Sequence, residues 1–136
     1  MKGEGDAVKL ASLWPGALCL WLLVGCQTLS EKHQATVLEE TLRKYEATMR
    51  WGSIQNARSY RVEDASFSSP INKELRIIHY EVVQGPTLIG EDKALQTVLI
   101  QYVFESSQSV KELVDQQVWQ YEDAQWMLQS PFPVFK

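Results

Sequence analysis

Cysteine is scarce in this chain. Its 136 residues include only Cys19 and Cys26, too few for the disulfide framework on which small exported domains often rely. Histidine is as rare, with His33 and His79 alone, and neither stands in a His, Cys or Asp spacing that would make a metal site. Each reads as a surface or structural histidine. Basic residues are outnumbered, 13 against 17 acidic, for a net charge of −4; with no basic stripe or arginine cluster, nucleic acid is not an expected partner. The seven glycines form no phosphate-cradling loop: Gly85 and Gly90 sit in turn-forming clusters and Gly52 follows a helical pattern. No Ser-His-Asp context appears. An apolar run of about twenty residues, the length a spanning helix needs, is missing too. The longest, residues 10–24 (LASLWPGALCLWLLV), is shorter and is broken by Pro15-Gly16.

What that run does have is a characteristic end. It follows a short polar start containing Lys2 and Lys9, diluted by Glu4 and Asp6, and closes on Leu23-Val24-Gly25-Cys26 before the polar Gln27-Thr28. This is a signal-peptide layout. The tetrapeptide resembles the bacterial lipoprotein box, in which a peptidase cuts before a cysteine whose thiol carries a diacylglyceryl group. The resemblance implies cleavage between Gly25 and Cys26, lipidation of Cys26 and attachment to a membrane through its acyl chains, two or more of which are needed for a stable anchor. It also implies residence in the cell envelope. Gln27 stands where an aspartate would signal inner-membrane retention, which implies the outer membrane, facing the periplasm, in a Gram-negative source. The alternatives are an ordinary secretory signal with a chance cysteine, or a buried apolar helix carrying a small thiol residue. Removing residues 1–25 from the 136-residue chain leaves 111, enough for one domain with its own core. The expected organisation is a signal peptide over residues 1–25, a tether over 26–30 and a single domain over 31–136.

Two periods of hydrophobicity divide the remainder. Leu38, Leu42, Tyr45 and Met49 recur at spacings of four, three and four, with charged residues between them, and predict an amphipathic helix from Ser30 to Trp51 with Ser30 as its N-cap. Gly52 supplies a stop, Ser53 a second cap, and residues 54–60 a short second helix. A polar connection follows between Glu63 and Pro70. Beyond it, residues 74–83, 94–104, 110–121 and 125–129 are rich in β-branched and aromatic residues and are separated by turn-forming clusters, the pattern of consecutive antiparallel strands. The first strand is expected to bulge at Gly85-Pro86 and run on through Leu88-Ile89. Pro131 and Pro133 end the sheet.

A two-residue hairpin at Asp123-Ala124 sets Tyr121 opposite Trp126 and Trp119 opposite Leu128. A four-residue loop at 106–109 sets Tyr102 opposite Leu113 and Ile100 opposite Asp115. Alternation then collects Val98, Ile100, Tyr102, Phe104, Leu113, Trp119, Tyr121, Trp126 and Leu128 on the face expected to meet the long helix. Leu95, Thr97, Leu99, Gln101, Val103, Val114, Gln116, Val118, Gln120 and Met127 fall on the other face. This order of elements, closing on Val118-Trp119-Gln120-Tyr121 and Gln125-Trp126-Met127-Leu128, resembles the nuclear-transport-factor-2-like, cystatin-like cone. The expected fold is α+β, an N-terminal helix pair packed on a curved antiparallel sheet of about four strands. The resemblance implies a hollow between helix and sheet that is either a ligand or catalytic pocket or is filled, with the sheet then used for dimer contacts.

Asp115 and Gln117 point into the aromatic face in this register, where a desolvated carboxylate could bind a ligand or act as a base. Trp119, Tyr102 and Trp126 are candidate pocket neighbours, with Trp51 and Tyr80 as further aromatic lining, although such clusters are more often simply core. No acid, base and nucleophile can be assembled, and no cofactor or metal is expected. Two functions follow. One is a non-enzymatic envelope lipoprotein whose domain, through its sheet or its tail 131–135, contacts another envelope protein. The other is a protein that binds or slowly transforms a small apolar molecule using Asp115. A filled hollow favours the first and an open one the second.

Overall fold

The computed structural model describes residues 29–61 and 70–136. The expected signal peptide, the Gly25-Cys26 junction and nearly all of the polar connection after Glu63 lie outside those residues. The chain divides into two compact units, Met1–Thr36 and Val37–Lys136. Of the first, residues 29–36 are described and are helical, with the Thr36 hydroxyl donating to the Lys32 carbonyl at 2.9 Å. Ser30 is a helical residue and not the expected cap, because Leu29 before it is helical as well.

The helical run, here α1, covers residues 29–51. In the second unit its stripe of Leu38, Leu42, Tyr45 and Met49 is buried as its period requires. Thr41 and Thr48 turn their hydroxyls back onto the carbonyls of Val37 and Lys44, at 2.7 and 2.8 Å, which satisfies these groups within the helix. Trp51 is 80% exposed, with the Arg50 guanidinium 5.1 Å from its ring. It therefore lines no interior pocket; two positions after Met49 it lies roughly 200° around the helix from the buried stripe. At Gly52 a Cβ would come within 2.9 Å of the Thr48 carbonyl oxygen, and the amide of this glycine caps that carbonyl at 3.1 Å. Ser53 opens α2 (Ile54–Ala57), its side chain accepting from the Gln55 amide. The chain then tightens into a 3₁₀ turn, Arg58–Tyr60.

The second half is one antiparallel sheet. Its strands β1 (Leu75–Ile89), β2 (Lys93–Phe104), β3 (Lys111–Glu122) and β4 (Gln125–Leu128) lie in sequence order, so the described chain is α+β. The register of β1 on β2 shifts between Ile77 and His79, between Val82 and Gln84, and between Gln84 and Thr87, the last spanning Gly85-Pro86 as expected. Gly85 lies against Gln96: a Cβ there would meet Gln96 Cγ at 2.8 Å. In the terminal hairpin Tyr121 faces Trp126 and Trp119 faces Leu128, as expected, and both turn residues take positive φ, 52° at Asp123 and 62° at Ala124, the twist that a two-residue hairpin requires.

The β2–β3 register differs from expectation. Ile100 faces Leu113, Tyr102 faces Lys111 and Val98 faces Asp115, a displacement of two residues. Its cause is the connection, which spans residues 105–110 and not 106–109, with the amides of Ser107 and Gln108 both folding back onto the Phe104 carbonyl. A two-residue slip leaves each side chain on its own face. Val98, Ile100, Tyr102, Trp119, Trp126 and Leu128 are accordingly buried, and all of these but Tyr102 form one core with Leu38, Leu42, Tyr45, Met49 and Ala57. On the opposite face Leu95 and Val114 are exposed. The tail is not free either: Phe132 and Phe135 pack on the core, and the Phe135 ring stands edge-on to Tyr102 at 5.0 Å.

Candidate functional site: a polar cluster on the inner face

Three cross-strand rows of the inner face carry the polar residues. Tyr80 of β1 is opposite Ile100, which is opposite Leu113; Val82 is opposite Val98, which is opposite Asp115; and Gln96 is opposite Gln117. Gln96, Asp115 and Gln117 are the buried polar residues of the described chain, 5%, 6% and 1% exposed. The bulge of β1 at Gly85 makes their arrangement possible, since any side chain there would collide with Gln96.

Gln117 is the hub. Its Oε1 accepts from Gln96 Nε2 at 3.2 Å and from the Trp119 indole at 3.1 Å. Its Nε2 donates to the Tyr80 hydroxyl at 3.0 Å and to Asp115 Oδ2 at 2.9 Å. Both donors and both acceptor lone pairs of one amide are thus in use, the condition under which a buried polar network is tolerated. Asp115 has no ion-pair partner among the described residues. Burial raises its carboxyl above the usual carboxylate range, and the Gln117 bond opposes that shift. Tyr80 is likewise raised by burial. Above the cluster, from α1, stands Tyr45, without exposed surface and with a hydroxyl that makes no hydrogen bond. Burial, then the nearby Asp115 and Tyr80, push its phenol well up. Its ring packs edge-on against Trp119 at 5.2 Å and Tyr60 at 5.4 Å.

Of the candidates from sequence, Asp115, Gln117 and Trp119 come together in one hydrogen-bonded chain. Tyr102 is buried elsewhere, its hydroxyl donating to the main-chain oxygen of Lys136 at 3.1 Å. Trp126 packs on Tyr121 at 5.2 Å and borders a shallow surface hollow of about 260 Å³ beside Val37, Thr41, Tyr60 and Ala124. Sequence reasoning missed Gln96, although it shares the parity of Val98 and Ile100, and it took Tyr45 for an apolar stripe position. His79 is exposed, its Nε2 3.4 Å from Glu81 Oε2. Among the described residues no group of three or more His, Cys, Asp or Glu side chains could hold a metal ion, and no helix is long and apolar enough to cross a membrane.

The chemistry on offer is narrow. The inner face is packed with hydrocarbon and aromatic rings, and the one carboxylate within it has an oxygen committed to Gln117. No protein-family model matches the chain, and neither a curated protein nor a solved structure matches it.

Proposed function

We propose that this chain is a membrane-anchored lipoprotein of a bacterial envelope, held by acyl chains on Cys26, whose domain has a non-enzymatic interaction or structural role. The observation that carries the reading is Leu23-Val24-Gly25-Cys26 at the close of an apolar run too short, and too broken by Pro15-Gly16, to span a bilayer. Gln27 favours the outer membrane, facing the periplasm, in a Gram-negative cell. The α+β layer is read as a nuclear-transport-factor-2-like or cystatin-like cone with a filled hollow. Supporting this, Tyr45, Val98, Ile100 and Trp119 have no exposed surface, so the space a small apolar ligand would occupy beside Asp115 is taken up by the protein's own side chains. That packing is why the interaction role is preferred to a pocket that uses Asp115.

Mass spectrometry of the mature protein from membranes tests the reading directly. A mature N-terminus at Cys26 carrying diacylglyceryl and fatty acyl mass is expected, with Cys26→Ser accumulating as an uncleaved or unanchored precursor. A free thiol at Cys26, or a start elsewhere, would end the lipoprotein proposal.

A further inference from the structure

β3 is three times as long as its outer neighbour. It spans Lys111–Glu122, whereas β4 spans Gln125–Leu128 and pairs only with Trp119 to Glu122. Beyond β4, Gln129 and Ser130 still engage Val118: the amide of each donates to the Val118 carbonyl and the Ser130 hydroxyl accepts from the Val118 amide. From Lys111 to Gln117 the outer edge of β3 then has no main-chain partner among the described residues. The tail makes no main-chain hydrogen bond to this stretch among the described residues, and its Phe132 and Phe135 pack on the core. The amides and carbonyls that alternate outward along this stretch are a template for another strand.

The side chains along that edge indicate which strand. Lys111, Leu113 and Asp115 alternate onto the inner face, as their partners Tyr102, Ile100 and Val98 do. Asp115 is a buried carboxylate without a cation, a costly arrangement unless a partner supplies one. Lys111 is exposed, its Nζ resting on the main-chain oxygen of Lys136 at 2.7 Å. Antiparallel pairing of this edge with itself, with the two-fold axis at Leu113, sets Lys111 of each copy opposite Asp115 of the other. Directly opposite residues on such a pair have Cβ atoms about 5 Å apart, within reach of a lysine stem. Centring the pairing on Val114 would put Leu113 opposite Asp115, and centring it on Glu112 would put Ser109 there; neither register brings a cation.

We infer that the open edge of β3 is a docking surface for a second copy of this chain, the two sheets joining edge to edge about Leu113 with reciprocal Lys111–Asp115 pairs. The interface is isologous and closed, as two-fold interfaces are. Seven residues of strand bury less than a standard interface, so the association is weak in dilute solution. The inference does not depend on lipidation.

Sedimentation equilibrium of the full chain, solubilised in density-matched detergent, tests it. Self-association is expected at high micromolar concentration. Lys111→Glu replaces two attractions by two repulsions and should weaken dimerisation by about tenfold or more. The exchanged pair, Lys111→Glu with Asp115→Lys, should restore it to within about threefold of wild type. Since Asp115→Lys places a new charge in the core, a second measurement stands independently of its folding: oxidative crosslinking of Leu113→Cys, whose two copies meet at the axis within disulfide range. That variant should yield a covalent dimer, whereas Glu112→Cys alone should not, with the wild-type chain as control for Cys19 and Cys26. A strictly monomeric chain, a dimer indifferent to Lys111→Glu, or crosslinking at 112 in preference to 113 would each overturn the inference.

Discussion

A tyrosine hydroxyl sealed in a core without a hydrogen-bond partner forfeits its hydration and gets nothing in return. Tyr45 is in that position, fully buried among Trp119 and Tyr60 with its oxygen unpaired. Tyr45→Phe keeps the ring contacts and deletes the orphan, so it should raise stability by about 1 kcal/mol, read from urea melts; a loss of that size instead would mean that the hydroxyl does have a partner. Asp115 makes the complementary case. Burial raises its carboxyl above the ordinary value of 3.8, so the folded chain holds this proton more tightly than the unfolded one. The sign follows by linkage: the residue costs no stability where both states are protonated, and the cost sets in as pH rises from the unfolded value through the folded one. Asp115→Asn should therefore be more stable than wild type at pH 7, on the order of 1 kcal/mol, and the difference should shrink as the pH falls toward 4. Melts of the two proteins across that range, dilute enough to be monomeric, check both parts. A gap that widens on acidification would contradict the assignment.

At the scale of the element, the terminal hairpin is the point of strain. Its turn demands positive φ at two consecutive residues, and the second of them, Ala124 at 62°, has a Cβ that disfavours it. Ala124→Gly should relieve that strain and stabilise by roughly 0.5–1 kcal/mol, measurable as a rise in Tm with no change in the far-UV spectrum. Much of this element is legible in the amino-acid sequence, because two residues between alternating runs leave a single register for Trp119, Tyr121, Trp126 and Leu128. The amphipathic stripe of α1 and the bulge at Gly85-Pro86 are legible for similar reasons, period in one case and proline chemistry in the other. The β2–β3 connection is not. In it the amides of Ser107 and Gln108 share the Phe104 carbonyl, and nothing in the composition of Glu105 to Val110 announces that. The polar cluster is half legible: alternation places Asp115, Gln117 and Gln96 alike on the inner face, but the room for the Gln96 side chain comes from a clearance at Gly85 on another strand.

Across the whole molecule, the helical layer and the sheet of the second unit meet through aromatic rings. Among the described residues Trp119 is the largest side chain with no exposed surface; it touches Tyr45 of α1 edge-on and donates to the Gln117 hub. Trp119→Ala should cost about 3–5 kcal/mol, enough to bring a domain of this size close to unfolding under native conditions. Gln117→Leu fills nearly the same volume yet strands the indole, the Tyr80 hydroxyl and the Asp115 carboxylate, and should cost about 3 kcal/mol. Denaturant titrations of the two variants would separate the contributions, and a silent Gln117→Leu would show that the cluster is dispensable for stability.

The order in which this core is assembled along the chain has a kinetic side. Leu38 to Met49 come early in sequence, but the surfaces that cover them include Trp126 and Leu128, and Phe132 and Phe135 pack on last; Leu128 also forms a parallel bridge to Arg61 just after the helices. A chain threaded N-terminus first through a translocation pore would thus present α1 without its lid until residue 128 emerged. Folding would wait on the final hairpin, and through that interval the exposed apolar stripe of α1 would be open to a chaperone.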